Sequence, residues 1–269
     1  MLKWAKAEWG LFAKADQMSA RQRAQWVRQW VPFGVRTVGY GAVSCVGGVM
    51  TADHRASLWA MRQWSRASLK GLNISAEISG VENIPEGSVM YAANHQSSLD
   101  ILVLGAVLPG DFKWAAKSSL LRVPFVGWHL KLSGHVPVDR AAGRRGAVKA
   151  IKDFARVLEE GKHLLIFPEG TRSETGEVKP FKNGGFYAAL RASRPVVPVA
   201  IDGTHQMMFK GAVDTGGDGV RRHAIVRVGK PIHPPEEGRE GARVTELRDR
   251  TREAILTMHA QIRQEYEAS

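Results

Sequence analysis

The stretch Tyr91-Ala-Ala-Asn-His-Gln-Ser-Ser-Leu-Asp100 decides how the rest of the chain reads. An apolar run, Val89 to Ala93, ends in Asn94-His95, and a carboxylate follows five residues after the histidine. The run reads as a buried strand, and Ser98 onward as the start of a helix. On a regular helix, positions i and i+5 stand about 140° apart. His95 and Asp100 therefore meet only if His95 is still in the turn while Asp100 lies in the first helical turn. Strand-to-helix turns are where α/β proteins gather their chemistry.

Outward from this stretch the pattern is α/β. Strands are expected at 74–79, 89–93, 112–116, 135–138, 163–167, 196–201 and 223–228. Helices are expected at 101–108, 147–160, 185–192 and 244–266. The nearly all-apolar Val196–Ile201 suits a sheet covered on both faces. The fold class expected is α/β, with a mostly parallel central sheet flanked by helices. Gly211–Gly219 reads as a glycine-rich loop.

The first quarter differs. Of the +12 formal charge, +8 lies in residues 1–70, which also hold six of the eight tryptophans. Basic residues interleaved with tryptophan favour an anionic membrane surface over nucleic acid, because amphipathic rings settle at headgroup level. Residues 1–30 read as a helix that Pro32 and Gly34 interrupt. Thr37–Thr51 is uncharged, but shorter than the roughly 20 residues a spanning helix needs. Residues 54–70 form a second basic helix. The expected division is a helical hairpin for membrane association over 1–72 and an α/β domain over 73–269. A mean hydropathy of −0.22 excludes a polytopic membrane protein. The lone Cys45 suits a reducing compartment, and the opening Met-Leu-Lys-Trp-Ala-Lys lacks the apolar core of a secretory signal.

Three expected strand ends carry polar groups: Asn94-His95…Asp100, Asp139-Arg140 and Glu169-Gly170-Thr171-Arg172. In one parallel sheet they converge on its carboxyl edge. A histidine there suits general-base work, and a carboxylate on its other ring nitrogen fixes the tautomer. Gly-x-Ser-x-Gly is absent, so direct attack by a substrate hydroxyl is the natural arrangement. Arg140, Arg172 and Lys117 suit a phosphate clamp, and Gly170 allows close backbone approach. No metal-ligand cluster is present in the pattern. Each feature taken singly is most often structural; the ordered conjunction carries the reading.

That conjunction resembles the glycerolipid acyltransferases, and within them the 1-acyl-glycerol-3-phosphate acyltransferases. Asn94-His-Gln-Ser-Ser-Leu-Asp100 matches the NHxSxxD block, Gly134-His-Val-Pro-Val-Asp-Arg140 resembles the second block, Phe167-Pro-Glu-Gly-Thr-Arg-Ser173 the third, and Val196-Val-Pro-Val-Ala-Ile201 the fourth. Ser119 stands where the family often has an acidic residue, and Pro137 where it has a bulky apolar one. The resemblance covers roughly residues 73–205. It implies His95 as general base and Asp100 as its partner. It implies acyl transfer from a thioester, of acyl-CoA or acyl-carrier protein, to the hydroxyl of a lysophospholipid, giving phosphatidic acid. It further implies that Lys117, Arg140, Glu169, Gly170, Thr171 and Arg172 hold the acceptor, with no metal and no cofactor. Glu169 is expected to bond a hydroxyl or an arginine, since facing phosphate would be repulsive. Main-chain N–H groups near the first block, or Lys117, are the candidate oxyanion donors. The expected location is the cytoplasmic face of the cell membrane, peripheral or monotopic. The alternatives are a different lysophospholipid or hydroxyl-bearing lipid as acceptor and, least favoured, a non-enzymatic binder of anionic membrane or nucleic acid.

Overall fold

The structure is a computed structural model that describes residues 19–50, 55–139, 141–210, 212, 215 and 219–268. The helix expected over 1–30 lies mostly outside this range, as does most of the expected loop at 211–219.

Helix α1 (Ala20–Met50) and helix α2 (Arg55–Gly71) pack side by side. Then come β1 (Ser75–Ser79), β2 (Met90–Ala93), α3 (Asp100–Val107) and β3 (Phe112–Lys117). Next are α4 (Val126–Leu132), β4 (Val136–Val138), α5 (Gly143–Glu159) and β5 (His163–Ile166). The chain continues through α6 (Gly184–Arg191), β6 (Val196–Asp202), α7 (Thr204–Met207) and β7 (His223–Val228) to α8 (Glu240–Ala268).

Among the described residues, seven strands form one sheet in the order β1-β7-β6-β2-β5-β3-β4. β6, β2, β5, β3 and β4 run parallel. β7 is antiparallel to β6, and β1 parallels β7, so this last pair runs the other way. The expectation of a mostly parallel sheet therefore holds. β2 lies in the middle and is buried throughout, so successive side chains feed two cores. Tyr91 and Ala93 join Met61, Leu69, Leu104 and Val199 on one face. Met90 and Ala92 join Phe154, Phe186, Leu247 and Ile255 on the other. The sheet is thus sandwiched between α2–α3 and α5–α6–α8.

Pro32 and Gly34 were expected to break the first helix, and they do not: α1 runs unbroken through both. An interior proline removes one backbone bond, at a cost of about 3 kcal/mol. Trp30 and Phe33, flanking it, are buried in the same core as Tyr91 and stack edge-on at 5.3 Å, which offsets that cost. Trp64 Nε1 donates to Thr37 Oγ1 at 3.0 Å, tying the two helices together. Gly47 lies so near Ala56 that any Cβ there would collide with it, which is why this uncharged stretch carries glycine. α4 was not anticipated; it is only seven residues long, and Pro124 and Gly127 mask its periodicity.

The Tyr91 ring packs against Phe112 and His163, yet its buried hydroxyl has no hydrogen-bond partner. Burial pushes the phenol up to about 12. An unsatisfied buried hydroxyl costs about 1–3 kcal/mol. Tyr91→Phe should therefore leave stability unchanged or raise it by about 1 kcal/mol in urea denaturation, against the usual loss for a core substitution.

Candidate active site

β2 ends at Ala93, and the chain turns through 94–99 before α3 opens with Asp100. Asn94 prolongs the ladder with its side chain. Its Nδ2 donates to Ile201 O at 2.9 Å, and its Oδ1 accepts from Ile201 N at 2.8 Å, where the next backbone pair would have been. The turn is thereby pinned to β6 before His95 is reached.

His95 lies in the turn and Asp100 in the first helical turn, the arrangement that the five-residue spacing requires. His95 Nδ1 is 2.8 Å from Asp100 Oδ2. The same Oδ2 accepts the main-chain N–H groups of Gln96 at 2.8 Å and Ser97 at 2.9 Å, while Oδ1 accepts Thr204 Oγ1 at 2.5 Å. Asp100 is fully buried, so it accepts from Nδ1–H, and the lone pair of His95 is left on Nε2. Phe167 stacks on the His95 ring at 3.9 Å and 14°, fixing its plane.

The turn after β5 closes over this one. Ser173 N–H donates to His95 O at 2.7 Å, and His95 N–H donates to Glu169 Oε1 at 2.8 Å. Glu169 therefore bonds neither a hydroxyl nor an arginine, contrary to expectation. The β2 and β5 ends are adjacent, so its carboxylate meets the main chain of the neighbouring turn first. Its Oε2 is buried without a partner. Burial pushes this carboxyl up to about 7, and the N–H groups of His95 and Lys179 moderate the rise. Gly170 has φ +73° and lies under Lys182, so a side chain there would be both strained and crowded. Arg172, half-buried, donates from Nη1 to Ser98 Oγ at 2.6 Å. Burial lowers its pKa, and the nearby Asp100 charge works against that shift.

Thus the structure brings His95, Asp100, Glu169, Gly170 and Arg172 together, with Thr171 half-buried between the last two. Lys117 is exposed at the end of β3, two strands from β2 on the same edge. Arg140 lies outside the described residues. The main-chain N–H groups of His95, Gln96 and Ser97 are all engaged within the protein, so none of these three is an oxyanion donor as expected. Thr204 was missed. Its signal is the polar group just past an all-apolar strand, after Gly203 at φ +91°.

The raised Glu169 carboxyl has a measurable consequence. A folded-state value near 7, against 4.5 for an ordinary glutamate, means that the folded protein binds a proton the unfolded chain releases. This contribution to stability is fully present below pH 4.5 and is lost as pH rises through 7. Glu169→Gln should remove that fall, read as a flatter dependence of the denaturation midpoint between pH 5 and pH 8.

Comparisons with known proteins show the family and the fold. The Acyltransferase family model matches residues 75–202. Over 170 residues the chain is 34% identical to the 1-acyl-sn-glycerol-3-phosphate acyltransferase of Borreliella burgdorferi, an alignment taking in 63% of this chain and 68% of that protein. Over 164 residues it is 37% identical to the chloroplastic 1-acyl-sn-glycerol-3-phosphate acyltransferase BAT2 of Brassica napus, covering 60% of this chain but only 45% of that protein. The chain thus spans less than half the length of this plant relative. The crystal structure of the 1-acyl-sn-glycerophosphate (LPA) acyltransferase PlsC from Thermotoga maritima has the same fold, with a TM-score of 0.76 at 24% identity over 90% of this chain and 96% of that one. The chain belongs to the acyltransferase family.

Proposed function

We propose that this protein transfers a fatty acyl group from a thioester to the free hydroxyl of 1-acyl-glycerol-3-phosphate, giving phosphatidic acid. The observation that carries the reading is the 2.8 Å bond from His95 Nδ1 to a buried carboxylate, which leaves Nε2 as a base. In this reading Nε2 takes the hydroxyl proton as the acceptor oxygen attacks the thioester carbonyl. Asp100 stabilises the imidazolium that forms. The tetrahedral adduct then collapses, the C–S bond breaks, and the imidazolium returns its proton to the leaving thiolate. The names of the relatives support the acceptor. Arg172, with Lys117 at the end of β3 and with Arg140, would hold its phosphate, and Gly170 and Thr171 would line the approach. Glu169 acts on the His95 main chain. The donor is an acyl-CoA or an acyl-carrier protein, and no metal or cofactor takes part.

We infer also that α1 docks on the cytoplasmic face of an anionic membrane. From Val31 to Met50 every exposed residue is Val, Gly or Met: Val31, Gly34, Val35, Val38, Gly39, Val43, Val46, Val49 and Met50. These positions form an uncharged stripe about 30 Å long. Among the described residues no helix is long and apolar enough to cross a membrane. The stripe therefore suits a helix lying in the interface, with exposed Arg23 and Arg28 at its start.

His95→Ala should lower lysophosphatidate-dependent thiol release by about 10²–10⁴-fold, and a rate within a few-fold of the parent would sink the assignment. Across a panel of lysolipids, Arg172→Ala should raise KM for the phosphomonoester acceptor more than for acceptors lacking a phosphate. Val35→Asp with Val46→Asp touches only exposed positions, so thermal stability should hold. Each aspartate nevertheless costs about 2.5–3.5 kcal/mol at full burial in lipid. Sedimentation with phosphatidylglycerol vesicles should accordingly fall by at least about tenfold.

A further inference from the structure

Gln96, between His95 and Ser97, is 1% exposed, and its side chain points away from the catalytic pair. Its Nε2 donates to Gly176 O at 2.8 Å and lies 2.7 Å from His259 Nε2 on α8. Its Oε1 is 3.4 Å from Thr204 Oγ1, the hydroxyl that also donates to Asp100. His259 is itself 3% exposed and lies outside the sequence blocks described above.

We propose that His259 is a positioning residue for the His95 turn, accepting a hydrogen bond from the Gln96 amide and so fixing the main chain that presents N–H groups to Asp100. The role deepens the acyl-transfer reading and rests on it, because it concerns the base which that reading assigns.

The polarity of the contact follows from its neighbours. A carbonyl, Gly176 O, accepts from Gln96 Nε2, so that atom is the amide NH2. Its second hydrogen faces His259 Nε2, which must carry a lone pair. His259 is therefore neutral, with its proton on Nδ1. Asp202 Oδ2 lies 3.4 Å from the same Nε2, but an ion pair there would need a proton facing the Gln96 amide. The closer Gln96 contact decides between the two. Burial lowers the His259 pKa, opposed by Asp202 and Glu177 and aided by Arg263, in keeping with a neutral ring.

The ring is held from behind. Arg263, one turn along α8, donates to Asp202 Oδ2 at 3.3 Å and to Gly176 O at 3.2 Å, and pairs with Glu177. α8 thus grips the 176–177 segment and the end of β6, and His259 reaches from this clamp to the turn. The main-chain N–H of Gln96 bonds Asp100 Oδ2, so any shift of Gln96 moves the carboxylate that sets the His95 tautomer. α8 lies wholly outside the 75–202 matched by the family model, so this support comes from a part of the chain the model does not contain.

The test compares His259→Leu, which removes the acceptor, with His259→Gln, whose Oε1 falls near the position of Nε2. With lysophosphatidate as acceptor, the Leu variant should lose about tenfold or more in kcat, with KM within about twofold, because misplacement of a reacting group acts on the chemical step. The Gln variant should recover kcat to within about threefold of the parent. On the same full-length samples, imidazole NMR should show the downfield His95 Nδ1 proton, identified by its loss in His95→Ala. That resonance should broaden or vanish in the Leu variant and return in the Gln variant. If the Leu variant fails to fold, Gln96→Met removes the donor from the other side and should give the same two losses. The inference is overturned if His259→Leu, or Gln96→Met in its place, keeps both kcat and the resonance, or if His259→Gln restores neither. Absence of acyl transfer by the parent to any lysolipid would instead sink the functional reading, and the resonance comparison would still decide the role of His259.

Discussion

The structure around the site depends on burying one carboxylate. Asp100 has no solvent exposure, and a charge taken out of water must be met by donors on every side. It is met by four: the His95 ring, two consecutive main-chain N–H groups, and the Thr204 hydroxyl. The N–H groups of Gln96 and Ser97 can converge on one oxygen only if the chain curls around it. The carboxylate therefore shapes the turn as much as the turn places the carboxylate. The sheet order follows the same need. β2 is flanked by β6, which delivers Thr204, and by β5, which delivers Phe167 and Glu169.

The two charged residues of the Phe167–Ser173 segment work in different directions. Glu169 turns inward to the His95 main chain and gives up most of its solvation, whereas Arg172 reaches the Ser98 hydroxyl and stays half-buried. A short segment thus holds the His95 turn from within and keeps a cation at its rim. The absence of a Cβ at Gly170 is what lets the chain reverse between these two residues beneath Lys182.

Much of this was legible in the sequence, because the features that carry it are local. The strand pattern and the His95–Asp100 spacing follow from neighbours within about ten residues. What was not legible depends on distance along the chain. Glu169 meets His95 across 74 residues and Gln96 meets His259 across 163, and no spacing rule links such positions. Pro32 misled for a related reason. Its local rule is sound, but the burial of Trp30 and Phe33 in a core built largely from later residues overrides it. The main-chain donors near His95 were counted as available because nothing in the sequence says that Asp100 and Glu169 already occupy them.

Under the docking proposed above, the valine stripe of α1 has a consequence for how the protein would meet its acceptor. With that stripe seated in a bilayer, enzyme and lysolipid share one surface and find each other by lateral diffusion. The quantity that sets the encounter rate is then the mole fraction of acceptor among the surrounding lipids, and not its concentration in the bulk. Diluting the acceptor with inert lipid slows such an enzyme even when the total amount of acceptor is unchanged. Docked in that way, the stripe would make the composition of the membrane itself the kinetic variable.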